Sequence, residues 1–178
     1  MKRRTFIAGF GSAAAWSLAA RAQQAERARR IGVFFAGSAG ISEFTQALAG
    51  LGWIDGRNMR MDLRWGSGDV DRIRTLAQEL VGLKPDIIVT DSTPATVALQ
   101  RETRTIPIVV AVVADPVASG VVARLDRPSG NVTGFATFEG SMGGRWLELL
   151  SETVPGLKRA AIIFNPDTAT AINFYAII

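Results

Sequence analysis

Nearly continuous apolar segments alternate with segments of helical periodicity along most of this chain, and this alternation limits the possible folds more than any other feature. A strand buried on both faces needs apolar side chains at almost every position. Strands separated by helices predict right-handed βαβ units. We therefore expect an α/β fold with a parallel sheet flanked by helices. The predicted strands cover residues 31–36, 59–65, 86–90, 106–113, 132–135 and 160–164.

Three of the intervening segments have apolar residues at the spacing of an amphipathic helix. One covers residues 70–81 and is preceded by Asp69, a residue type that favours the N-cap. Another covers residues 42–51 and is followed by Gly52, which can end a helix in a left-handed conformation. The third begins near Trp146 and stops before Pro155.

The first 22 residues have the organisation of an export signal. Lys2, Arg3 and Arg4 precede a short apolar stretch, and the small residues Ala20 and Ala22 mark a cleavage site before Gln23. The segment 3–7, Arg-Arg-Thr-Phe-Ile, resembles the twin-arginine signal that exports folded proteins. A membrane anchor or a buried helix of the mature fold is the alternative; for an anchor, about fifteen apolar residues are fewer than the roughly twenty that span a bilayer. We expect a periplasmic protein that begins at Gln23.

Removal of that segment changes the charge balance of the chain. The full sequence has 20 Lys and Arg against 16 Asp and Glu, and four of the basic residues lie in the first 22 positions. The remaining chain is neutral, so its charge gives no support for nucleic-acid binding. The sequence has no Cys and no His. A Ser-His-Asp triad, a thiol nucleophile and the usual zinc sites are therefore excluded.

The loops that follow the predicted strands are the places where a parallel α/β sheet binds ligands. The first contains Ser38 between Gly37 and Gly40, and it lacks the glycine spacing of a nucleotide-binding motif. We predict no cofactor. A plain turn is the favoured interpretation of this loop. The Ser38 side chain is then directed toward the expected ligand-binding cleft at the strand ends.

The loop after the third predicted strand, residues 90–94, is the strongest candidate site. Pro94 suits the first helical position and Thr93 the N-cap, so backbone N–H groups would face the strand ends as a site for an anion or carboxylate. Ser92 adds a hydroxyl, and Asp91 can accept a hydrogen bond from an ammonium group. Simple capping by Thr93 is the alternative.

Two further loops carry weaker signals. Asp115 follows a very apolar strand and precedes a proline; it is either a ligand for a cationic group or a turn residue that bonds its own backbone. Phe138 suits contact with an apolar or aromatic ligand, and Glu139 suits a positive group. Phe138 is equally consistent with the core, and Glu139 with a helix start.

Six segments, taken in order, resemble the exported substrate-binding proteins of ABC transporters, in the tryptophan/tyrosine-type or uncharacterised branch with a type I periplasmic binding protein fold. They are residues 50–58, 64–65, 105–109, 114–117, 125–134 and 165–166.

The resemblance implies two α/β lobes joined by a hinge, with a small polar ligand, for example an amino acid, held between them and released to an ABC permease of the inner membrane. It implies a monomer without a catalytic residue, cofactor or metal. The expected chain order is a signal at 1–22, a first lobe at 23–138, and a crossover with the start of a second lobe at 139–178. The ligand-binding residues implied by position in this family are Ser38, Asp91, Ser92, Thr93, Asp115, Phe138 and Glu139.

Members of that family are much longer, and they have a longer loop between Ser38 and Ser42. We therefore expect a truncated or frame-shifted binding protein with little ligand affinity. Two other functions stay open: a small exported α/β enzyme that uses a carboxylate such as Asp91 or Asp115, and a sensor or interaction lobe without a transport function.

Overall fold

The computed structural model describes residues 28–66, 68–128, 130–138, 142–161 and 163. The strands in this part of the chain are β1 (Arg29–Phe35), β2 (Met59–Trp65), β3 (Ile87–Thr90), β4 (Ile108–Ala114) and β5 (Val132–Phe138). The helices are α1 (Ile41–Gly50), α2 (Val70–Gly82), α3 (Thr93–Glu102) and α4 (Met142–Thr153).

The five strands form one sheet in the order β2-β1-β3-β4-β5, and all neighbours are parallel. Ile31 of β1 pairs with Met61 on one side and with Ile87 on the other. Ile108 of β4 pairs with Ile88 and with Val132. The predicted α/β fold with a parallel sheet flanked by helices is confirmed.

Side chains of successive strand residues pack on opposite faces of the sheet, which explains why residues 31–35 of β1 and the strands β3 and β4 are almost continuously apolar. Phe34 lies in a core cluster with Leu80 of α2 and Leu99 of α3. Its neighbours in the chain, Val33 and Phe35, lie in a second cluster, against α1. Leu80 and Leu99 are fully buried, and burial of each such side chain contributes about 1.5–3 kcal/mol.

The helix ends follow the sequence signals. The Asp69 carboxylate accepts hydrogen bonds from the N–H groups of Asp71 and Arg72 at 3.0 and 3.1 Å, so the predicted N-cap of α2 is confirmed. Helix α1 ends at Gly50, and Gly52 has a φ of 87°. The Gly52 and Trp53 N–H groups donate to the carbonyls of residues 49 and 48 at 2.9 Å, which is the Schellman arrangement.

Strand β1 begins two residues before its predicted start, because Arg30 has polar partners at this edge of the sheet. The Arg30 N–H donates to the Asp86 carboxylate at 2.7 Å, and its guanidinium bonds to Asp62 and to the Leu83 carbonyl. The hydrogen bond from Arg30 lowers the pKa of Asp62. An ion pair therefore extends a strand that apolar character alone predicted to start at residue 31.

Two predicted segments fall wholly or partly outside the described residues. The export signal at 1–22 lies outside them. In the predicted strand at 160–164, Ala160, Ala161 and Ile163 are described and have no strand conformation. Among the described residues, no helix combines the length and the apolar character that crossing a bilayer requires.

The backbone conformation of Gly134 in β5 leaves no room for a side chain next to β4. Gly134 pairs with Val110 and has a φ of 152°, and the register of the two strands shifts just beyond this pair. A Cβ atom at position 134 would lie 2.1 Å from the Val110 carbonyl oxygen. Only glycine fits this position.

We predict that Gly134→Ala lowers the free energy of unfolding by at least about 2 kcal/mol, because the added methyl group forces apart two backbones. The matched control is Gly144→Ala in α4, where a Cβ meets nothing within 4 Å; it should stabilise by less than about 1 kcal/mol. Urea unfolding measures both changes. Equal effects of the two substitutions would contradict the lack of room at Gly134.

Candidate functional site

The strand order places a crevice at the carboxyl edge of the sheet, between β1 and β3. From β1 the chain passes to β2 on one side, and from β3 it passes to β4 on the other side. The loops that follow β1 and β3 therefore diverge, and such switch points are where open α/β sheets bind ligands. Residues 36–40 follow β1, and Asp91 and Ser92 follow β3, so these two loops would form the walls of such a crevice.

A hydrogen bond joins the two walls. The Ala36 N–H donates to the Oδ1 atom of Asp91 at 2.7 Å. Asp91 is half-buried, and burial raises the pKa of its carboxyl above the usual value, while the N–H bonds it accepts act in the opposite direction. The net effect of this environment is that ionisation of Asp91 costs more free energy than in water.

The N-cap of α3 is Ser92, so the prediction that Thr93 is the cap was wrong by one residue. The Ser92 hydroxyl oxygen accepts a hydrogen bond from the Ala95 N–H at 3.4 Å, and Pro94 lies in the first turn. Thr93 is buried instead, and its Oγ1 accepts a hydrogen bond from the Ala114 N–H at 3.3 Å. Residue type alone did not decide which of the two adjacent hydroxyl residues, Ser92 or Thr93, is the N-cap. The structure decides it, because the Thr93 hydroxyl is bonded to β4 instead.

The Asp115 side chain bonds its own turn. Its Oδ1 atom accepts a hydrogen bond from the Ala118 N–H at 3.0 Å, and its φ is 37°, in the left-handed region. The Asp115 carbonyl oxygen also accepts bonds from the N–H and the hydroxyl of Ser119. These contacts agree with the alternative in which Asp115 is a turn residue that bonds its own backbone. They engage one of its two carboxylate oxygens.

The other predicted site residues are placed less closely. Ser38 is exposed in the loop after β1, and its carbonyl oxygen accepts a bond from the Ile41 N–H at 3.4 Å. The backbone of Phe138 forms the end of β5, at the same edge of the sheet. Glu139 lies outside the described residues. The described geometry thus brings together Asp91, Ser92 and the loop that carries Ser38.

Thr90, the last residue of β3, belongs to the candidate segment 90–94 but was not predicted as a binding residue. Its hydroxyl is fully buried and has no hydrogen-bond partner among the described residues. A polar residue at the end of an otherwise apolar strand was the available signal.

An aromatic group beside the crevice was also missed. Phe35 at the end of β1 has edge-on contacts with Phe44 of α1 and Trp65 of β2, at ring-centroid distances of 6.0 and 6.5 Å. Aromatic pairs of this geometry stabilise by about 0.5–1.5 kcal/mol beyond their buried area. They support the base of the loop after β1. Spacing along the chain could not reveal this group, because its members come from three elements.

A cavity elsewhere in the fold has a different character. It lies between β4, β5 and the turns after β4, and its volume is about 60 Å³. Its lining consists mainly of apolar residues, including Val110, Val121 and Leu125. Without converging polar groups it suits no polar solute. The crevice between β1 and β3 is the better candidate.

Comparison with known proteins agrees with the observed fold. The family model described as ABC transporter substrate binding protein matches residues 36–178. The chain belongs to this family of ABC transporter substrate-binding proteins. It is 34% identical over 122 residues to a tyrosine-binding protein of Clostridioides difficile (strain R20291), a match that covers 68% of this chain and 35% of the relative.

Solved structures give the same picture. A conserved domain protein from Vibrio cholerae matches with a TM-score of 0.75 and 28% identity, over 85% of this chain and 52% of that one. The ABC domain in complex with L-Trp from Streptococcus pneumonia matches at 0.59 and 26%, over 69% and 42%. A ligand-free, open substrate binding protein with adhesive properties from Clostridium difficile matches at 0.60 and 32%, over 73% and 45%. The chain spans about half the length of these proteins, or less.

We predict that Ser92→Ala lowers the free energy of unfolding by about 1 kcal/mol, because it removes the acceptor for an N–H group at the start of α3. Ser42→Ala is the control: Ser42 is exposed, and its hydroxyl donates a hydrogen bond to the neighbouring Glu43 carboxylate, so the change should stay within about 0.5 kcal/mol. Thermal or urea unfolding distinguishes them. An unchanged stability of Ser92→Ala would refute its assignment as the cap.

Proposed function

We propose that this chain is part of an extracytoplasmic solute-binding protein of an ABC importer, and that its small ligand binds in the crevice between β1 and β3. The observation that carries this proposal is the half-buried Asp91 carboxylate at the switch point of a parallel sheet. Membership of the substrate-binding family supports it.

The proposed ligand is an amino acid. The Asp91 carboxylate accepts a hydrogen bond from the ligand ammonium group, and the start of α3, at Ser92 and Thr93, receives the ligand carboxylate. An Asn side chain would accept the Ala36 hydrogen bond without the solvation cost of a buried charge. The presence of Asp instead favours a cationic partner for this group.

The names of two relatives support an aromatic amino acid. One relative is described as tyrosine-binding, and one solved structure holds L-Trp. Phe138, at the end of β5, is the proposed contact for the ligand ring, with Glu139 beside it. Ser38 and Asp115 complete the proposed site on the side of the first lobe.

The proposed chain order is the one that the export-signal pattern and the family resemblance predict. Residues 1–22 are a twin-arginine signal cleaved after Ala22, and the protein acts in the periplasm. Residues 23–138 form the first lobe, and residues 139–178 contain the crossover and the start of a second lobe. The bound solute passes to a permease in the inner membrane. The protein acts as a monomer and catalyses no reaction.

We expect L-tyrosine or L-tryptophan at millimolar concentration to shift the backbone amide NMR signals of residues 36–40, 91–93 and 95–96, because these groups lie at the proposed site. Amide signals at the opposite edge of the sheet, such as that of Asn58, should stay unchanged. Glucose, which has no ammonium or carboxylate group, serves as the ligand control.

Asp91→Ala should weaken this binding at least about tenfold, since a charged hydrogen bond is lost. Asp126→Ala is the matched control, because Asp126 is exposed and its carboxylate pairs with Arg124; the affinity of this variant should equal that of the unaltered chain. Shifts confined to residues away from the carboxyl edge, or equal affinities of the two variants, would rule the proposed site out.

A further inference from the structure

We propose that Asp91 is also a positioning residue, whose carboxylate fixes the loop 36–40 against the end of β3 before any ligand is present. We call the hydrogen bond from the Ala36 N–H to the Asp91 carboxylate the latch. The effect of the latch on ligand affinity rests on the proposed function. The latch itself does not, because it is a contact within the chain.

The latch takes over where the backbone pairing of two strands ends. The last pair between β1 and β3 is Phe34 with Thr90. One residue after Thr90, Asp91 places its Oδ1 atom 2.7 Å from the N–H group of Ala36. A side chain thus continues the hydrogen bonding of two parallel strands at the point where their chains begin to diverge.

The loop has few other attachments on this side. Its residues are exposed, and three of its five positions are Gly37, Ala39 and Gly40. Helix α1 begins after Gly40, which has a φ of 80° and offers no side-chain cap. The Ile41 N–H donates to the Ser38 carbonyl at the long distance of 3.4 Å. Small residues without side-chain contacts leave the position of the loop dependent on its backbone bonds.

The opposite side of the loop is held by β2. The Gly66 N–H donates to the Phe35 carbonyl at 3.1 Å, and the Phe35 ring contacts Trp65. Two hydrogen bonds therefore hold the start of the loop. The Phe35 carbonyl bonds to Gly66 at the end of β2, and the Ala36 N–H bonds to Asp91 at the end of β3. Loss of the Asp91 acceptor frees the loop on the side that faces the crevice, and Ser38 moves with it.

The test uses the exchange of the Ala36 amide hydrogen in the ligand-free chain. In Asp91→Ala this amide should exchange at least about tenfold faster than in the unaltered chain, because its acceptor is gone. Asp91→Asn keeps a side-chain oxygen acceptor, so it should restore protection to within about threefold. The amide of Ile88, in the centre of the sheet, should be equally protected in all three proteins and reports that each is folded.

Equal exchange of the Ala36 amide in all three proteins would overturn the latch. Rescue by Asn distinguishes a specific acceptor from a general loss of structure, and faster exchange in Asn and Ala alike also overturns it.

Ligand titrations of the same proteins separate the two proposals. If both hold, Asp91→Asn binds an amino acid more weakly than the unaltered chain, and Asp91→Ala binds more weakly still. If Ala36 exchange behaves as expected while the affinities of all three proteins are equal, the latch stands and the proposed ligand site fails.

Discussion

Strand β1 lies between β2 and β3, and the site depends on this central position. From β1 the chain passes to β2 on one side, and from β3 it passes to β4 on the other side. The two loops diverge at the carboxyl edge, and a crevice opens between them. Had β1 been an edge strand, the same loop residues would have had no facing wall.

The same arrangement explains the distribution of apolar and charged groups. Strand residues of β1 alternate between two core clusters, one against α2 and α3 and the other against α1. Both faces of β1 are thereby covered by apolar side chains. At the amino edge Arg30 and Asp62 neutralise each other. At the carboxyl edge Asp91 accepts an N–H group but has no basic side chain bonded to it among the described residues. That difference in pairing favours a structural contact at one edge and a ligand contact at the other.

Much of the fold followed from pattern. Runs of apolar residues predicted, to within a few residues, where each strand of the sheet begins and ends along the chain. Asp69 and Gly52 predicted helix ends, because capping signals act within one helical turn. Contacts between distant segments were not predictable in this way. The extension of β1 depends on Asp62 and Asp86, which lie far along the chain from Arg30.

The candidate site shows the same division. The position of Asp91 after a buried strand was readable from the sequence, whereas its bond to Ala36 was not, because the two residues are 55 positions apart. The exchange of roles between Ser92 and Thr93 depends on the approach of β4 to α3, which no local pattern records. The binding roles of all seven predicted residues stay predictions: Ser38, Asp91, Ser92, Thr93, Asp115, Phe138 and Glu139.

A crystal structure of this chain grown with L-tyrosine tests the central claim most directly. The account predicts the amino acid at the carboxyl edge of the sheet, with its ammonium group within hydrogen-bond distance of Asp91 and its carboxylate at the start of α3. An amino acid bound in the apolar cavity beside β5, or at the edge where Arg30 pairs with Asp62, would contradict it.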